Sequence, residues 1–309
     1  MEKEISKAYP CSLHCILHFW PDVGIIGIDY FHYEGGTTMT VKLFVTDLDG
    51  TLLPSGKDVP QENIEAVQEA VRAGVIVTIA TGRMYRAALP VAKALGVDVP
   101  IITYNGALIK STQGKVYHTS YLKPEVIRQV VDFCQQQGWY LQSYSRDELW
   151  VPVHDEHAQH YEQEQKVTGH VVGWDGLREQ TQEVCKLLTI SEDGEETNRR
   201  LAILNERFGS EIVAMQSNAR YGEIVNPGVS KAEGLRRLAE KLGIAIEDTM
   251  AIGDSYNDLP MLKAAGHSVA MGNAVPEVKE VCNYETGRCE DFGFAQAIRE
   301  LVLGGGSDE

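Results

Sequence analysis

The chain has 309 residues, of which 43% are hydrophobic and 23% charged, so it can bury the cores of two domains and is not disordered throughout. Its 28 basic and 44 acidic residues give a formal charge of −16, which disfavours nucleic acid and anionic membranes as partners because both would be repelled. The longest apolar runs are far shorter than the roughly 20 residues that span a bilayer.

The first 38 residues differ in composition from the rest of the chain, with six aromatic residues and three of the nine histidines. Codons for Glu34, Gly35 and Gly36 can form a purine tract that resembles a bacterial ribosome-binding site, and Met39 follows at a short distance. We therefore expect residues 1–38 to be an extension that is not part of the native product. The alternative is a genuine N-terminal arm.

From residue 41 onward, apolar runs that predict strands alternate with helical patterns. Strands are predicted at 41–47, 75–82, 100–106, 248–254 and 267–272. Helices are predicted at 61–74, 86–96 and 230–243. This alternation is typical of βαβ units and predicts a parallel sheet that is buried on both faces.

The middle of the chain has a different pattern, in which alternating, half-exposed strands are mixed with helices. Helices are predicted at 123–138, 157–167 and 195–209, and strands at 139–145, 149–154, 185–191, 211–217 and 221–226. The pattern predicts an α/β core formed by residues 39–122 and 226–309, with an α+β domain of residues 123–225 inserted between them.

Polar residues follow the predicted core strands at the points where the strands end. Asp47 and Asp49 come after the first strand, Thr81 and Gly82 after the second, and Asp254 after a later one. Open parallel sheets bind ligands outside the carboxyl ends of their strands, so we expect these residues to form one site.

The segment VTDLDGT (45–51) places two aspartates one residue apart, so their side chains point the same way. Paired carboxylates can hold a hard cation such as Mg²⁺, and one of them can also act as a nucleophile. A calcium loop is excluded because Leu52 stands where that loop needs glycine, but a plain Asp-Gly turn remains open. Lys231 begins a helix capped by Ser230, where anions collect; a solvated lysine is the alternative.

Taken together, four segments resemble the haloacid dehalogenase (HAD) superfamily of phosphohydrolases. They are Asp-x-Asp-Gly-Thr at 47–51, Thr-Gly-Arg at 81–83, Lys231, and Gly-Asp-x-x-Asn-Asp at 253–258. The sequences around Lys231 and Asp254, and the insertion after the third strand, resemble the Cof-type subfamily with its α+β cap. The resemblance covers residues 41–303 and implies a HAD-like Rossmannoid parallel-sheet core with an inserted α+β cap domain.

The resemblance also implies roles for three aspartates. Asp47 would be the nucleophile that forms an aspartyl-phosphate. Asp49 would be the general acid for the leaving group and then the general base for water. Asp47, Asp254 and the backbone carbonyl of Asp49 would hold Mg²⁺.

The same resemblance implies a set of residues that bind the transferred phosphoryl group, namely Thr81, Gly82, Lys231 and Asn257. Asp258 would orient Lys231. We expect selectivity to come from the cap, where the candidate contacts are Tyr144, Arg146, Trp150 and Arg220.

The expected function is a Mg²⁺-dependent phosphatase of small phosphorylated metabolites, either sugar phosphates or phosphorylated cofactors. The alternatives are a phosphotransferase or phosphosugar mutase, and a non-hydrolytic phospho-receiver or sensor module. Six cysteines without a CxxC pair indicate a reduced, cytoplasmic location. We expect a monomer or weak homodimer that binds neither nucleic acid nor membrane.

Overall fold

The computed structural model describes residues 15–20, 25–30, 41–54 and 58–304. Residues 15–20 and 25–30 pair as two antiparallel strands. The rest of the predicted extension at 1–38 lies outside the described residues, so its exclusion from the native product stays a prediction. None of the described helices combines the length and apolarity needed to cross a membrane.

The strands of the described residues are numbered in chain order. They are β1 (Cys15–Trp20), β2 (Ile25–Tyr30), β3 (Leu43–Thr46), β4 (Ile76–Ile79), β5 (Ile101–Thr103), β6 (Leu108–Lys110), β7 (Val116–Thr119), β8 (Gln142–Ser145), β9 (Glu148–Val151), β10 (Gly169–Val171), β11 (Val184–Ile190), β12 (Val213–Asn218), β13 (Tyr221–Val225), β14 (Thr249–Gly253), β15 (His267–Ala270) and β16 (Tyr284–Glu285).

The α-helices are numbered in the same way. They are α1 (Gln61–Arg72), α2 (Tyr85–Ala94), α3 (Pro124–Gln137), α4 (Glu156–Gln165), α5 (Gly173–Glu179), α6 (Gly194–Phe208), α7 (Lys231–Leu242), α8 (Leu259–Ala264), α9 (Pro276–Val281) and α10 (Gly293–Ala297). Short 3₁₀ turns include Tyr104–Gly106 and Tyr256–Asp258, and a π-helical turn at Ile298–Val302 follows α10.

The core is a parallel sheet with the strand order β16-β15-β14-β3-β4. Every residue of β3 and β14 is buried, as expected for a sheet covered on both faces. The strand predicted at 100–106 is present as β5, but it joins β4 only through a bridge between Ala80 and Ile102. β5 instead pairs with the antiparallel strands β6 and β7, which the sequence patterns do not predict.

Helix α7 shows how the sequence sets the boundaries of the core elements. Its N-cap Ser230 accepts a hydrogen bond from the backbone N–H of Glu233, 3.1 Å away. Gly243 ends the helix with a φ of 67°, a left-handed conformation that glycine adopts without strain. The N-cap Ser230 and the terminal Gly243 set the two ends of the helix, with Lys231 as its first residue.

The cap, formed by residues of the inserted segment, is a six-stranded sheet in the order β10-β9-β8-β11-β13-β12. One face packs on α3, α5 and α6 through a cluster that includes Leu187 and Ile224. The other face carries Leu188 and Tyr221, which belong to the same hydrophobic cluster as the core strands. The strands β8, β11 and β13 of the cap sheet are therefore buried on both faces, and one of these faces is directed toward the core. The α/β core with an inserted α+β cap is confirmed, although the sequence patterns do not predict β10 and α5.

Candidate active site

The predicted site residues converge at the carboxyl ends of the core strands, beneath the cap. A cavity of about 120 Å³ lies there. It is lined from the core by Asp47, Asp49, Thr81, Gly82, Arg83, Asp254, Ser255 and Asn257. It is lined from the cap by Tyr161, Glu164, Gln165, Lys186, Ser217, Asn218, Tyr221 and Glu223. Lys231 and Asp258 are fully buried and do not line this cavity.

Lys231 connects two of the aspartates behind the cavity. Its Nζ lies 2.6 Å from Oδ1 of Asp47 and 2.6 Å from Oδ1 of Asp258. Oδ2 of Asp258 accepts hydrogen bonds of 3.0 Å from the backbone N–H groups of Asp254 and Ser255. Burial opposes the charged ammonium, but the two carboxylates raise the pKa of Lys231 above its ordinary value. The lysine is therefore held as a cation in a fixed position.

The carboxylates around Lys231 carry more negative charge than it neutralises. Burial raises the pKa of Asp47, an effect that Lys231 opposes and that Asp258 and Asp254 reinforce. Burial and then the charge of Asp258 raise the pKa of Asp254 to about 7, while a 2.8 Å hydrogen bond from the Thr51 hydroxyl to Oδ1 of Asp254 opposes the shift. A cation at this site would relieve the repulsion between these groups.

Carboxylate oxygens of Asp47, Asp254 and Asp258 lie within 4.8 Å of one another. This oxygen-only set fits Mg²⁺, which prefers hard ligands. Gly50 leaves room for the carboxylate of Asp254, because a Cβ at position 50 would lie 2.6 Å from Oδ2 of Asp254. Asp258 already accepts bonds from Lys231 and two backbone N–H groups, so Asp47 and Asp254 are the better ligands. The side chain of Asp49 lies outside this cluster, and the expected ligand is its backbone carbonyl.

The Asp49 carboxylate instead faces Arg83, to which the sequence analysis assigns no role. Nε of Arg83 donates to Oδ2 of Asp49 at 2.8 Å, and a terminal nitrogen donates to Oδ1 at 2.5 Å. A bidentate guanidinium pair of this kind fixes the orientation of the carboxylate. The Thr-Gly-Arg motif is the available signal, because it places Arg83 two residues beyond Thr81.

Four cap residues are expected from the sequence as possible substrate contacts, and none of them lines the cavity. Tyr144 is fully buried and makes an edge contact with Tyr161. Trp150 donates to the backbone carbonyl of Ser145, and Arg220 to that of Ser191. The fourth candidate, Arg146, pairs with the side chain of Gln182. Trp150, Arg220 and Arg146 therefore have partners away from the cavity, and Tyr144 packs behind Tyr161 of the cavity wall.

The cap residues that line the cavity are missed by the sequence analysis because they lie in segments without a motif. Two of them carry a usable signal, since Lys186 and Glu223 are charged residues within apolar strand patterns. A charge inside a buried strand is costly unless it is paired, so the two opposite charges indicate that Lys186 and Glu223 are partners. In the structure their Nζ and Oε1 atoms lie 2.7 Å apart.

The model of the haloacid dehalogenase-like hydrolase family matches residues 44–298. The chain belongs to this family. It is 32% identical to the 5-amino-6-(5-phospho-D-ribitylamino)uracil phosphatase YcsE of Bacillus subtilis over 85% of this chain and 96% of the relative. It is 31% identical to the B. subtilis phosphatase YitU, which is named for the same activity, over 84% of this chain and 96% of that protein.

Solved structures agree with this assignment. A haloacid dehalogenase-like hydrolase from Bacteroides thetaiotaomicron superimposes with a TM-score of 0.76 at 30% identity, covering 84% of this chain and 99% of that one. The resemblance inferred from the motifs is thus confirmed, and the chain is a HAD-type phosphatase.

Proposed function

We propose that this phosphatase is Mg²⁺-dependent and hydrolyses small phosphorylated metabolites through an aspartyl-phosphate on Asp47. The observation that carries the proposal is the buried contact between Asp47, Lys231 and Asp258 at a cavity closed by the cap. Phosphoryl transfer needs positioning and charge neutralisation above all, and a fixed lysine beside a carboxylate supplies both.

In the first step, a carboxylate oxygen of Asp47 attacks phosphorus and the bond to the leaving oxygen breaks. Oδ1 of Asp47 accepts a hydrogen bond from Lys231, which fixes the orientation of the carboxylate. Thr81, the backbone of Gly82 and Asn257, which line the cavity, would hold the phosphoryl oxygens, and Lys231 would offset their charge from behind Asp47. Mg²⁺, held by Asp47, Asp254 and the backbone carbonyl of Asp49, would offset the charge that the carboxylate and the phosphoryl group bring together.

Asp49 handles the protons of both steps. As an acid it gives a proton to the leaving oxygen, and as a base it takes one from the water that attacks phosphorus and releases Asp47. The bidentate pair with Arg83 fixes the orientation of the Asp49 carboxylate. The acid of the first step requires that this pair loosen when the substrate enters.

The leaving group faces the cap wall, whose polar groups fit a hydroxyl-rich molecule. Glu164 accepts a hydrogen bond from the hydroxyl of Tyr221. Gln165 lines the same cavity, and its Oε1 is buried without a hydrogen-bond partner. Hydroxyl groups of a sugar phosphate or of a phosphorylated cofactor could donate to these acceptors. The activity for which the two B. subtilis relatives are named, on a ribityl phosphate, supports this substrate class.

A panel of phosphorylated metabolites tests the proposal, with inorganic phosphate measured after incubation with the protein and Mg²⁺. We expect release from sugar phosphates or phosphorylated cofactors. A receiver module would keep its phosphate, and a mutase would move it to a second hydroxyl without release. Either result, or the absence of turnover across the panel, contradicts the proposal.

A further inference from the structure

The cap sheet brings a buried ion pair to the edge of the site. Lys186 on β11 and Glu223 on β13 are diagonal neighbours on one face of the sheet, with side chains 2% and 5% exposed. Desolvating such a pair is costly, and apolar side chains of similar volume often stabilise a protein equally well. The presence of the pair is therefore poorly explained by packing alone.

Both members of the pair reach across to the core. Nζ of Lys186 donates to the backbone carbonyl of Gly82 at 2.6 Å, and Oε2 of Glu223 accepts from Nδ2 of Asn105. Gly82 permits this approach, because a Cβ at that position would lie 3.0 Å from Oε1 of Glu223. The cap thus contacts the loop that carries Thr81 and Gly82.

The hydrogen bonds continue from the cap to the cavity. Oδ1 of Asn105 accepts from Nδ2 of Asn257 at 3.1 Å, and Asn257 lines the cavity. The donor–acceptor direction of these hydrogen bonds is set by Glu223, because a carboxylate can only accept. Glu223 therefore forces Asn105 to present its NH₂ to the cap and its carbonyl to Asn257. Asn257 must then direct one N–H of its amide toward the carbonyl of Asn105, which leaves the second N–H to donate to a phosphoryl oxygen.

We propose that Lys186 and Glu223 are positioning residues, which set the amide of Asn257 to donate to the phosphoryl group when the cap lies against the core. This inference rests on the proposed function, because it takes Asn257 to be a phosphate ligand. Neither residue touches the phosphoryl group itself. If these hydrogen bonds ran in the opposite direction, the carbonyl of Asn257 would face the phosphoryl group and repel it.

The test first releases the donor–acceptor direction of the hydrogen bonds between positions 223, 105 and 257, and then restores it. E223Q keeps the shape of Glu223 but allows an NH₂ to face Asn105, so the direction is no longer fixed. Adding N105D returns an acceptor to the middle of the chain: the new amide at position 223 donates to the new carboxylate at position 105, which accepts from Asn257. The double variant also keeps the total charge. The matched control is E211Q, which removes a carboxylate from an exposed pair with Lys123 in the cap.

The readouts are binding of inorganic phosphate by calorimetry in Mg²⁺ buffer, and kcat and KM for p-nitrophenyl phosphate. We expect E223Q to weaken phosphate binding about tenfold and to lower kcat, since hydrogen bonds to charged groups are the strong ones. The double variant should bind phosphate to within about threefold of the unmodified protein, because the two changes are coupled. E211Q should match the unmodified protein.

A purely structural role predicts a lower melting temperature with unchanged phosphate affinity of the folded protein, and that result overturns the proposal. So does a double variant that binds no better than E223Q. If E223Q does not fold, the double variant decides alone, and weak phosphate binding by its folded form refutes the inference. Phosphate binding needs no turnover, so failure of the proposed function would appear separately, as absent hydrolysis by the unmodified protein.

Discussion

Among the described residues, the core and the cap each bury one lysine, and the two lysines have different surroundings. In the core, Lys231 contacts two carboxylates at 2.6 Å, and the carboxylate of Asp254 lies nearby. In the cap, Lys186 contacts the carboxylate of Glu223 at 2.7 Å and the carbonyl of Gly82 at 2.6 Å. The core site keeps an excess of negative charge that suits a cation, whereas the cap pair is neutral. This difference separates the site of the proposed reaction from a contact that is proposed to position one of its phosphate ligands.

The largest effect is expected at Asp47, the proposed nucleophile in the core. Asp47→Asn should lower phosphate release at least about a thousandfold, because a neutral amide is a poor nucleophile and a poor Mg²⁺ ligand. The control is Asp248→Asn, which removes a carboxylate that pairs with Lys42 at the opposite end of the sheet. Retention of more than a few per cent of the activity by Asp47→Asn, with contaminating phosphatases excluded, would remove Asp47 from its role.

Removal of the cation should affect the core site next most strongly. Chelation of divalent metal is expected to lower turnover at least about a hundredfold, because the repulsion between Asp47, Asp254 and the phosphoryl group is then uncompensated. Added Mg²⁺ should restore the rate, and circular dichroism should show that the fold persists throughout. Full activity in the presence of chelator would contradict a metal-dependent mechanism.

The sequence predicts the core site better than the cap wall for a physical reason. Residues such as Asp47, Thr81 and Asp254 follow strands whose carboxyl ends must meet in a parallel sheet, so local pattern and topology together locate them. Glu164 and Gln165 face the cavity only because α4 lies on the core side of the cap sheet. That packing depends on contacts between distant segments, which no local pattern records.

The short strand β5 shows the same limit within the core. The run at 100–106 is apolar and is expected to continue the parallel sheet, but it forms a single bridge to β4 and turns into a hairpin with β6 and β7. The left-handed conformations of Tyr104 and Asn105, with φ of 51° and 56°, end the strand after Thr103. The pattern identifies an extended segment but cannot identify its partner.

A matched pair of substitutions tests the contrast between the two lysines. Lys231→Met and Lys186→Met each leave buried carboxylate charge without its partner, so each should lower the free energy of unfolding by about 3 kcal/mol. Activity should separate them: we expect a loss of about a hundredfold or more for Lys231→Met and about tenfold for Lys186→Met. Urea denaturation and steady-state kinetics give the two quantities. Equal losses of activity would mean that the contrast has no functional meaning.

The smallest effect is expected at Gln165 in the cap, and its two parts should have opposite signs. The buried Oε1 has no hydrogen-bond partner, so Gln165→Leu should raise the free energy of unfolding by up to about 1 kcal/mol. The same change removes an acceptor from the cavity wall. It should lower kcat/KM for hydroxylated sugar phosphates about threefold to tenfold relative to p-nitrophenyl phosphate, whose leaving group has no other hydroxyl. Gln159→Leu, at an exposed position on α4, is the control for the helix. If Gln165→Leu leaves the ratio of the two rates unchanged, Gln165 does not contact the leaving group, and the selectivity of the cap must come from other residues of the wall.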